Sequence, residues 1–491
     1  MQQFSKRFKF LFLSTKGLIL VAVAMISIVS AIFGMLSGPM AELGISDVII
    51  KSLKMSLEPA EREGRIIILY HVIANAVIAI EVYIINSMLK MKDSQRSSIN
   101  ATVTVGYLFA MIFGLWFAYF GHNYVFHGLF IFGECLMYFG GILFAIALWP
   151  WKKEYYIDSK EHSRTKKGLD LERVAFFVMA MGTLGSVLFG AIPGSLTGNG
   201  FETFLAENTI RMPNKNVLDL AVIGHLHIML TQIAIACALI VGKWVNFRGI
   251  LHKISMPLMI IGTIIITFGV WMVVPFQFIA HMIIYGGSTL ILLVGLFLLI
   301  FSWGQLIKDR IAEQGIEKPN FFQKIKALLH DPLKFGATWQ MLFMNFTTSF
   351  IGIFFAVKLD EVIRKWPARE ERIELAGHWH ILATIIATIL LFYIADLYGL
   401  KGKTRKWFGW IVIIFSNLAF GAAVVFFMKR LFISEAAQQP LVDTIMILIE
   451  IGLGTLLVAL GSFMAWRLFD LFKKRGQWSR ELEEIKQEVK Q

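Results

Sequence analysis

Runs of about twenty apolar residues recur along the whole chain, each long enough to cross the roughly 30 Å hydrocarbon core of a bilayer as a helix. A backbone in hydrocarbon must satisfy its own hydrogen bonds, so such a chain is predicted to fold as a bundle of helices. Reading each run as one span places twelve, near 15–37, 66–90, 102–121, 127–149, 172–196, 218–241, 253–274, 277–302, 338–358, 375–398, 406–428 and 440–468. The run at 338–358 is the weakest, because Asn345, Thr347, Thr348 and Ser349 dilute it. The expected fold is all-α: one polytopic membrane domain over 1–470, with a charged tail at 471–491. Composition agrees, since only 16% of the residues are charged, against roughly 25% in a soluble chain.

The net charge of +13 tests the count. With Met1 in the cytoplasm and every span crossing, most of the 47 Lys and Arg residues fall in loops and span edges on that side. The positive-inside rule therefore places both termini in the cytoplasm, and a cell inner membrane is the expected location. The basic excess reads as topology, not as a surface for nucleic acid. Cys135 and Cys237 are the two cysteines, both within spans. They suggest no disulfide, no cysteine metal site and no covalent haem attachment. The first run lacks a clear small-residue cleavage site and is expected to be a retained helix.

Histidines recur at a fixed interval. His71, His225 and His378 sit early in spans 2, 6 and 10, separated by 154 and 153 residues. Four spans pass between each pair, so the three helices share a direction and the imidazoles a depth. One such histidine would read as a hydrogen-bonded core residue. Three at this spacing predict a bundle of three quasi-repeated four-helix arcs.

Two of the three belong to His-x-His pairs, in AVIGHLHIML at 221–230 and ELAGHWHILA at 374–383. Residues two apart on a helix leave it about 200° apart, from opposite faces. His225 and His227, or His378 and His380, cannot readily share one ion, but each pair can serve two cofactors on the two sides of its helix. Buried neutral imidazole is an axial ligand of haem iron. A helix between two haems is the simplest reason for the spacing.

These residues resemble the catalytic subunit of the haem-copper oxidases and nitric oxide reductases, a family of twelve spans in three four-helix arcs. The resemblance implies that His71 and His380 hold a low-spin haem b. It gives His378 to a second, high-spin haem b, where oxygen or nitric oxide would be reduced. It assigns His225 or His227, with His281, to a second metal, copper or non-haem iron, facing that haem. Lys429 and Arg430, after span 11, would pair with haem propionates. Electrons would come from a quinol or a cytochrome donor, the latter implying a partner subunit.

The chain departs from the family pattern. No adjacent His-His pair lies near the end of span 7, and His281 in PFQFIAHMIIYGG is the nearest candidate. The family's tyrosine four residues after the span-6 histidine is also missing, since those positions hold Met229 and Thr231. Tyr285 lies four after His281, on another helix. An alternative follows from the same residues: an electron-transfer cytochrome in which His378 pairs with His227 or His225, and His71 with His380, without gas chemistry. A transporter relaying protons through the histidines explains the repeat but not the opposed pairs. Glu81, Glu134 and Glu450 lie within spans, where an acid either supplies protons or bonds a neighbouring helix. His122 and His127 flank an outer loop. His162, His252 and His330 fall in expected cytoplasmic loops and receive no role.

Overall fold

The computed structural model describes residues 2–37, 43–57, 62–121, 123–197, 216–358, 361–366, 368–474 and 476–488. The protein is all-α, as the apolar runs predict, and an isolated bridge between Arg164 and Asp170 is the β pairing among the described residues. Eleven described helices are long and apolar enough to cross a membrane. Two compact units divide the chain: Met1–Leu148 with Gly194–Ala206 and Leu460–Gln491, and Trp149–Pro193 with Glu207–Ala459.

The first unit holds α1 (Gln2–Leu13), α2 (Thr15–Ser37), α3 (Ile45–Leu53), α4 (Arg62–Met88), α5 (Asp93–Tyr119) and α6 (Tyr124–Leu148). Its most extensive contact is α5 on α6. A Cβ at Gly133 would lie 2.4 Å from the Ala110 nitrogen, and one at Gly106 would lie 2.8 Å from the Met137 nitrogen. Small residues at the crossing let the backbones touch, which drives helix association where no hydrophobic effect operates between helices. Side-chain hydrogen bonds add to it. Asn86 Nδ2 donates to Asn100 Oδ1 at 2.8 Å, and the Tyr83 and Thr104 hydroxyls meet at 2.6 Å. Such bonds contribute about 1 kcal/mol each between membrane helices.

The charged tail expected at 471–491 is not a free appendage. Its helix α17 (Gln477–Glu488) buries Trp478, which is 1% exposed, beside Phe10 of α1. Glu481 accepts from Lys16 and from Arg467, both at 3.1 Å.

The second unit contains most of α7 (Leu171–Thr197), then α8 (Val217–Trp244), α9 (Gly249–Trp271), α10 (Gln277–Glu313) and the short α11 (Phe321–Leu328). It continues through α12 (Pro332–Phe343), α13 (Ser349–Lys358), α14 (Ala368–Leu397), α15 (Gly402–Phe432) and the first part of α16 (Glu435–Phe472). The weak run at 338–358 is helical but interrupted. Met344–Thr348 form a π-helical turn between α12 and α13, and Ser349 Oγ donates to the Met344 carbonyl at 3.0 Å. The diluting residues mark that turn. Asn345 packs so closely on α10 that a Cβ at Gly295 would lie 2.4 Å from its Nδ2. Wide turns of this kind re-aim the helix that follows.

His252 differs from its expected place in a loop. It lies within α9, fully buried, where its Nδ1 accepts the Ser163 N–H at 2.9 Å. Its other nitrogen faces Glu172 at 3.9 Å, and Glu172 pairs with Lys243 at 2.6 Å. The residue pins the 149–170 segment to α9.

An ionic clasp ties four helices at one end of this unit. Arg405 donates to both Asp331 oxygens at 2.8 Å and also pairs with Asp396, which accepts Trp244 Nε1–H at 2.6 Å. Asp331 caps α12 as well, accepting from the Leu333 nitrogen at 3.2 Å. Removing the cation leaves two partly buried carboxylates facing each other. Arg405→Leu is expected to destabilise the protein by about 2 kcal/mol, discounted from the fully buried case because the pair is partly solvated. Thermal unfolding in detergent, read by tryptophan fluorescence, checks it.

Candidate functional site

The sequence leads to α8 and α14. Asn216 caps α8, its Oδ1 accepting the Asp219 N–H at 2.9 Å. Two turns on, the His-x-His pair splits as its geometry predicts. The His225 ring turns to α7, its Nδ1 lying 2.8 Å from the Ser186 carbonyl. It lies flat against Gly190, where a Cβ would come within 2.3 Å of Nδ1. The His227 ring faces α14. Its centre lies 5.2 Å from Trp379, perpendicular to it, and 6.5 Å from His378 at an interplanar angle of 43°.

His378 is held on three sides. Phe355 of α13 meets it edge-on at 5.7 Å, and Trp379 packs at 5.5 Å. Gly352 lies opposite its Nε2 edge, where a Cβ would sit 3.8 Å away in ordinary contact. The π turn sets this face of α13, and the glycine leaves the nitrogen uncovered by any side chain of that residue. His380, two residues on, is exposed, and its carbonyl accepts Thr384 Oγ–H at 2.7 Å.

His281 on α10 stacks with Tyr285 at 6.5 Å and lies within electrostatic range of His227. In the first unit, His71 places its Nδ1 2.9 Å from the Ile67 carbonyl. One turn on, Asn75 Nδ2 donates to Glu134 Oε1 at 2.6 Å, and the His71 ring is close enough to act on that carboxyl. His71 belongs to the first unit and His378 and His380 to the second.

A carbonyl oxygen only accepts, so the bonded nitrogen in each case must donate. His227 Nδ1 bonds the Ile223 carbonyl at 2.8 Å. His71, His225 and His227 therefore carry the lone pair on Nε2 when neutral. That is the tautomer of a metal-bound histidine whose second nitrogen is anchored by a carbonyl. A helical histidine bonded to the carbonyl four residues back is also an ordinary way to satisfy a ring nitrogen. The bond orients the ring without identifying a ligand.

Lys429, near the end of α15, is 3% exposed with Nζ 4.0 Å from the centre of the Phe426 ring. Arg430 lies over Trp366 at 5.8 Å. Between this pair and His378 runs one aromatic cluster, in which Phe427 meets Phe355 edge-on at 6.1 Å and Trp366 and Ile351 complete the packing. The expected cationic pair and the expected haem histidine flank the same cluster.

The five candidate imidazoles of the second unit do not converge. Among the described residues no three or more His, Cys, Asp or Glu side chains are grouped to hold a metal ion. His227 and His378 face each other, His281 stands near, and His225 faces away. The candidate acids also separate. Glu81 is buried on α4, with one carboxyl oxygen lacking a hydrogen-bond partner among the described residues. Glu134 bonds Asn75, and Glu450 is exposed. His122 lies outside the described residues, and His127 stacks on Phe117 at 4.7 Å.

Trp379, Phe355 and Gly352 shape this site without being singled out by sequence pattern. Trp379 stands in the middle of the His-Trp-His triplet and could have been noticed there. Phe355 and Gly352 carry no such mark, because a lone Phe or Gly in an apolar run is unremarked in any membrane helix.

Fold and site together define an all-α protein embedded in a membrane, in which two imidazoles from separate helices, His227 exposed and His378 half-buried, stand 6.5 Å apart beside aromatic side chains. No protein-family model matches the chain, and no significant match to a curated protein or a solved structure was found.

Proposed function

We propose that the chain is a multi-pass cytochrome of the cell inner membrane, with both termini cytoplasmic, that transfers electrons through non-covalently held haem b. The observation that carries this reading is the facing pair of His227 and His378, with ring centres 6.5 Å apart. An ion held by two imidazoles lies about 2 Å from each nitrogen, which sets the ring centres roughly 6 Å apart. The pair suits one iron between two rings, and suits two separate metals facing each other less well. An oriented imidazole stands on each side and a glycine lies beside His378 Nε2, but Trp379, 5.2 Å from one ring and 5.5 Å from the other, occupies the space between them, so a haem there requires Trp379 to turn aside. A haem held there by His227 and His378 would supply one-electron redox chemistry. A second haem b is proposed, with a quinol or a cytochrome partner subunit as the electron donor.

The decisive experiment is an optical spectrum of the purified protein, reduced, with and without carbon monoxide. A six-coordinate iron has no open position, so the spectrum is expected to stay unchanged. Haem assay should give two b haems, and metal analysis no copper or further iron.

A second reading keeps the resemblance to oxidases and nitric oxide reductases: reduction of a small gas at His378, with a copper or non-haem iron held opposite. Tyr285, stacked on His281 one turn away on α10, favours this reading. His225 takes no part in it while bonded to Ser186. Carbon monoxide binding to the unaltered protein, together with extra metal, would select it.

Lys429 and Arg430 are assigned to haem propionates in either reading. Positive charge beside a haem favours the reduced state, so replacing both residues with Gln should lower a midpoint potential. The shift expected is tens of millivolts, about 60 mV for each factor of ten in the one-electron equilibrium. Redox titration of the double variant checks it, and unchanged potentials would leave the pair as a helix terminus.

A further inference from the structure

Helix α16 carries a carboxyl where a membrane protein should not show one. Its span, Gln438–Phe472, is 17% buried, the least covered of the eleven. Gly452 marks its inner face: a Cβ there would lie 2.6 Å from the Phe415 carbonyl oxygen and 2.8 Å from the Ala419 nitrogen of α15. Glu450 is two residues away, about 200° around the helix, and is exposed. It lies about 18 Å along the axis from Gln438 and about 25 Å from Arg467. Both distances place it inside a hydrocarbon core roughly 30 Å thick. It has no hydrogen-bond or ion-pair partner among the described residues. A lone carboxyl facing lipid is costly and marks a site where something must meet it.

The residues around Glu450 form a seam. Ile447, Glu450, Gly454 and Leu457 are exposed at alternating steps of three and four, the spacing of a helix-pairing face, and Val458 is exposed beside Leu457. Gly454, one turn from Glu450, has nothing within 4 Å of a would-be Cβ. A bare glycine there lets a second helix come close. The seam carries no basic residue. Asp443, one heptad towards the end of the helix, already accepts from Gln439 at 2.9 Å.

We infer that this seam is the interface of a parallel, symmetric dimer, in which Glu450 of one copy meets Glu450 of the other. A two-fold axis along the membrane normal brings equivalent residues together at one depth. A protonated carboxyl is both donor and acceptor, so it is its own complement. Any other partner would have to bring a hydrogen-bond donor to that depth. A second copy does so by symmetry.

The test uses the full chain in lipid vesicles at low protein density, with copies counted by single-molecule photobleaching. Wild type should be dimeric, and Glu450→Gln should remain so because an amide also donates and accepts. Glu450→Leu should weaken the dimer about tenfold. Oxidation of Val458→Cys, in a Cys135→Ser background, should link two copies, whereas Ile264→Cys on another exposed helix face should not. Should Glu450→Leu fail to fold, Gly454→Ile offers the same test through the close approach. Monomeric wild type overturns the inference. So does a dimer that Glu450→Leu and Gly454→Ile both leave unchanged, or one that links through Ile264→Cys and not through Val458→Cys.

Discussion

Replacing His227 with alanine is expected to create carbon monoxide binding in a protein that had none. If His227 and His378 hold one iron between them, removing His227 opens a coordination position while His378 keeps the haem. The change is all-or-none. It appears as a shifted absorption band in the reduced spectrum, with haem content close to that of the unaltered protein. His225→Ala, two residues away, should leave the spectrum as it was, because that ring is bonded to Ser186 on α7. His281→Ala should do little. The contrast between positions 225 and 227 is the sharpest feature of the prediction, since sequence gives the two histidines equal standing. If His227→Ala instead loses the haem and His225→Ala opens the iron, the assignment of faces is wrong. If wild type already binds carbon monoxide and His281→Ala removes a second metal, the gas-reducing reading holds.

The other large effect is expected at Gly133. Its missing side chain lets α6 lie on the backbone of α5, where a Cβ would come within 2.4 Å of the Ala110 nitrogen. The obstacle is backbone, which cannot swing aside as a flexible side chain could. Gly133→Ala should therefore destabilise the protein by about 2 kcal/mol, and Gly133→Leu should lower the yield of folded, monodisperse protein severely. Gly128 on the same helix is the control, since nothing lies within 4 Å of its would-be Cβ. Gly128→Ala should be neutral or slightly stabilising, because alanine is the better helix former. Size-exclusion profiles and thermal midpoints of the three variants decide it. A Gly133→Ala protein as stable as wild type would show that the two helices can part at no cost.

The sequence alone determined that the long apolar runs are helical, because a chain in hydrocarbon has no other way to satisfy its backbone. It determined that His225 and His227 leave α8 from opposite sides, because 100° per residue is a local property of any helix. It also located the weak point of the run at 338–358, where polar residues mark the π turn. What it left open is what each face meets. That His225 lies against α7 depends on Gly190, 35 residues earlier, having no side chain to exclude the ring. That His378 is walled by Phe355 and reached past Gly352 depends on the phase of α13 after the π turn. The charged tail gives no local sign of what it packs on. Trp478 and Glu481 are buried because Phe10 and Lys16 come to them from the other end of the chain. Local geometry follows from a few neighbouring residues. Contacts across tens or hundreds of residues follow from which helices pack, and small residues far apart in the chain decide that.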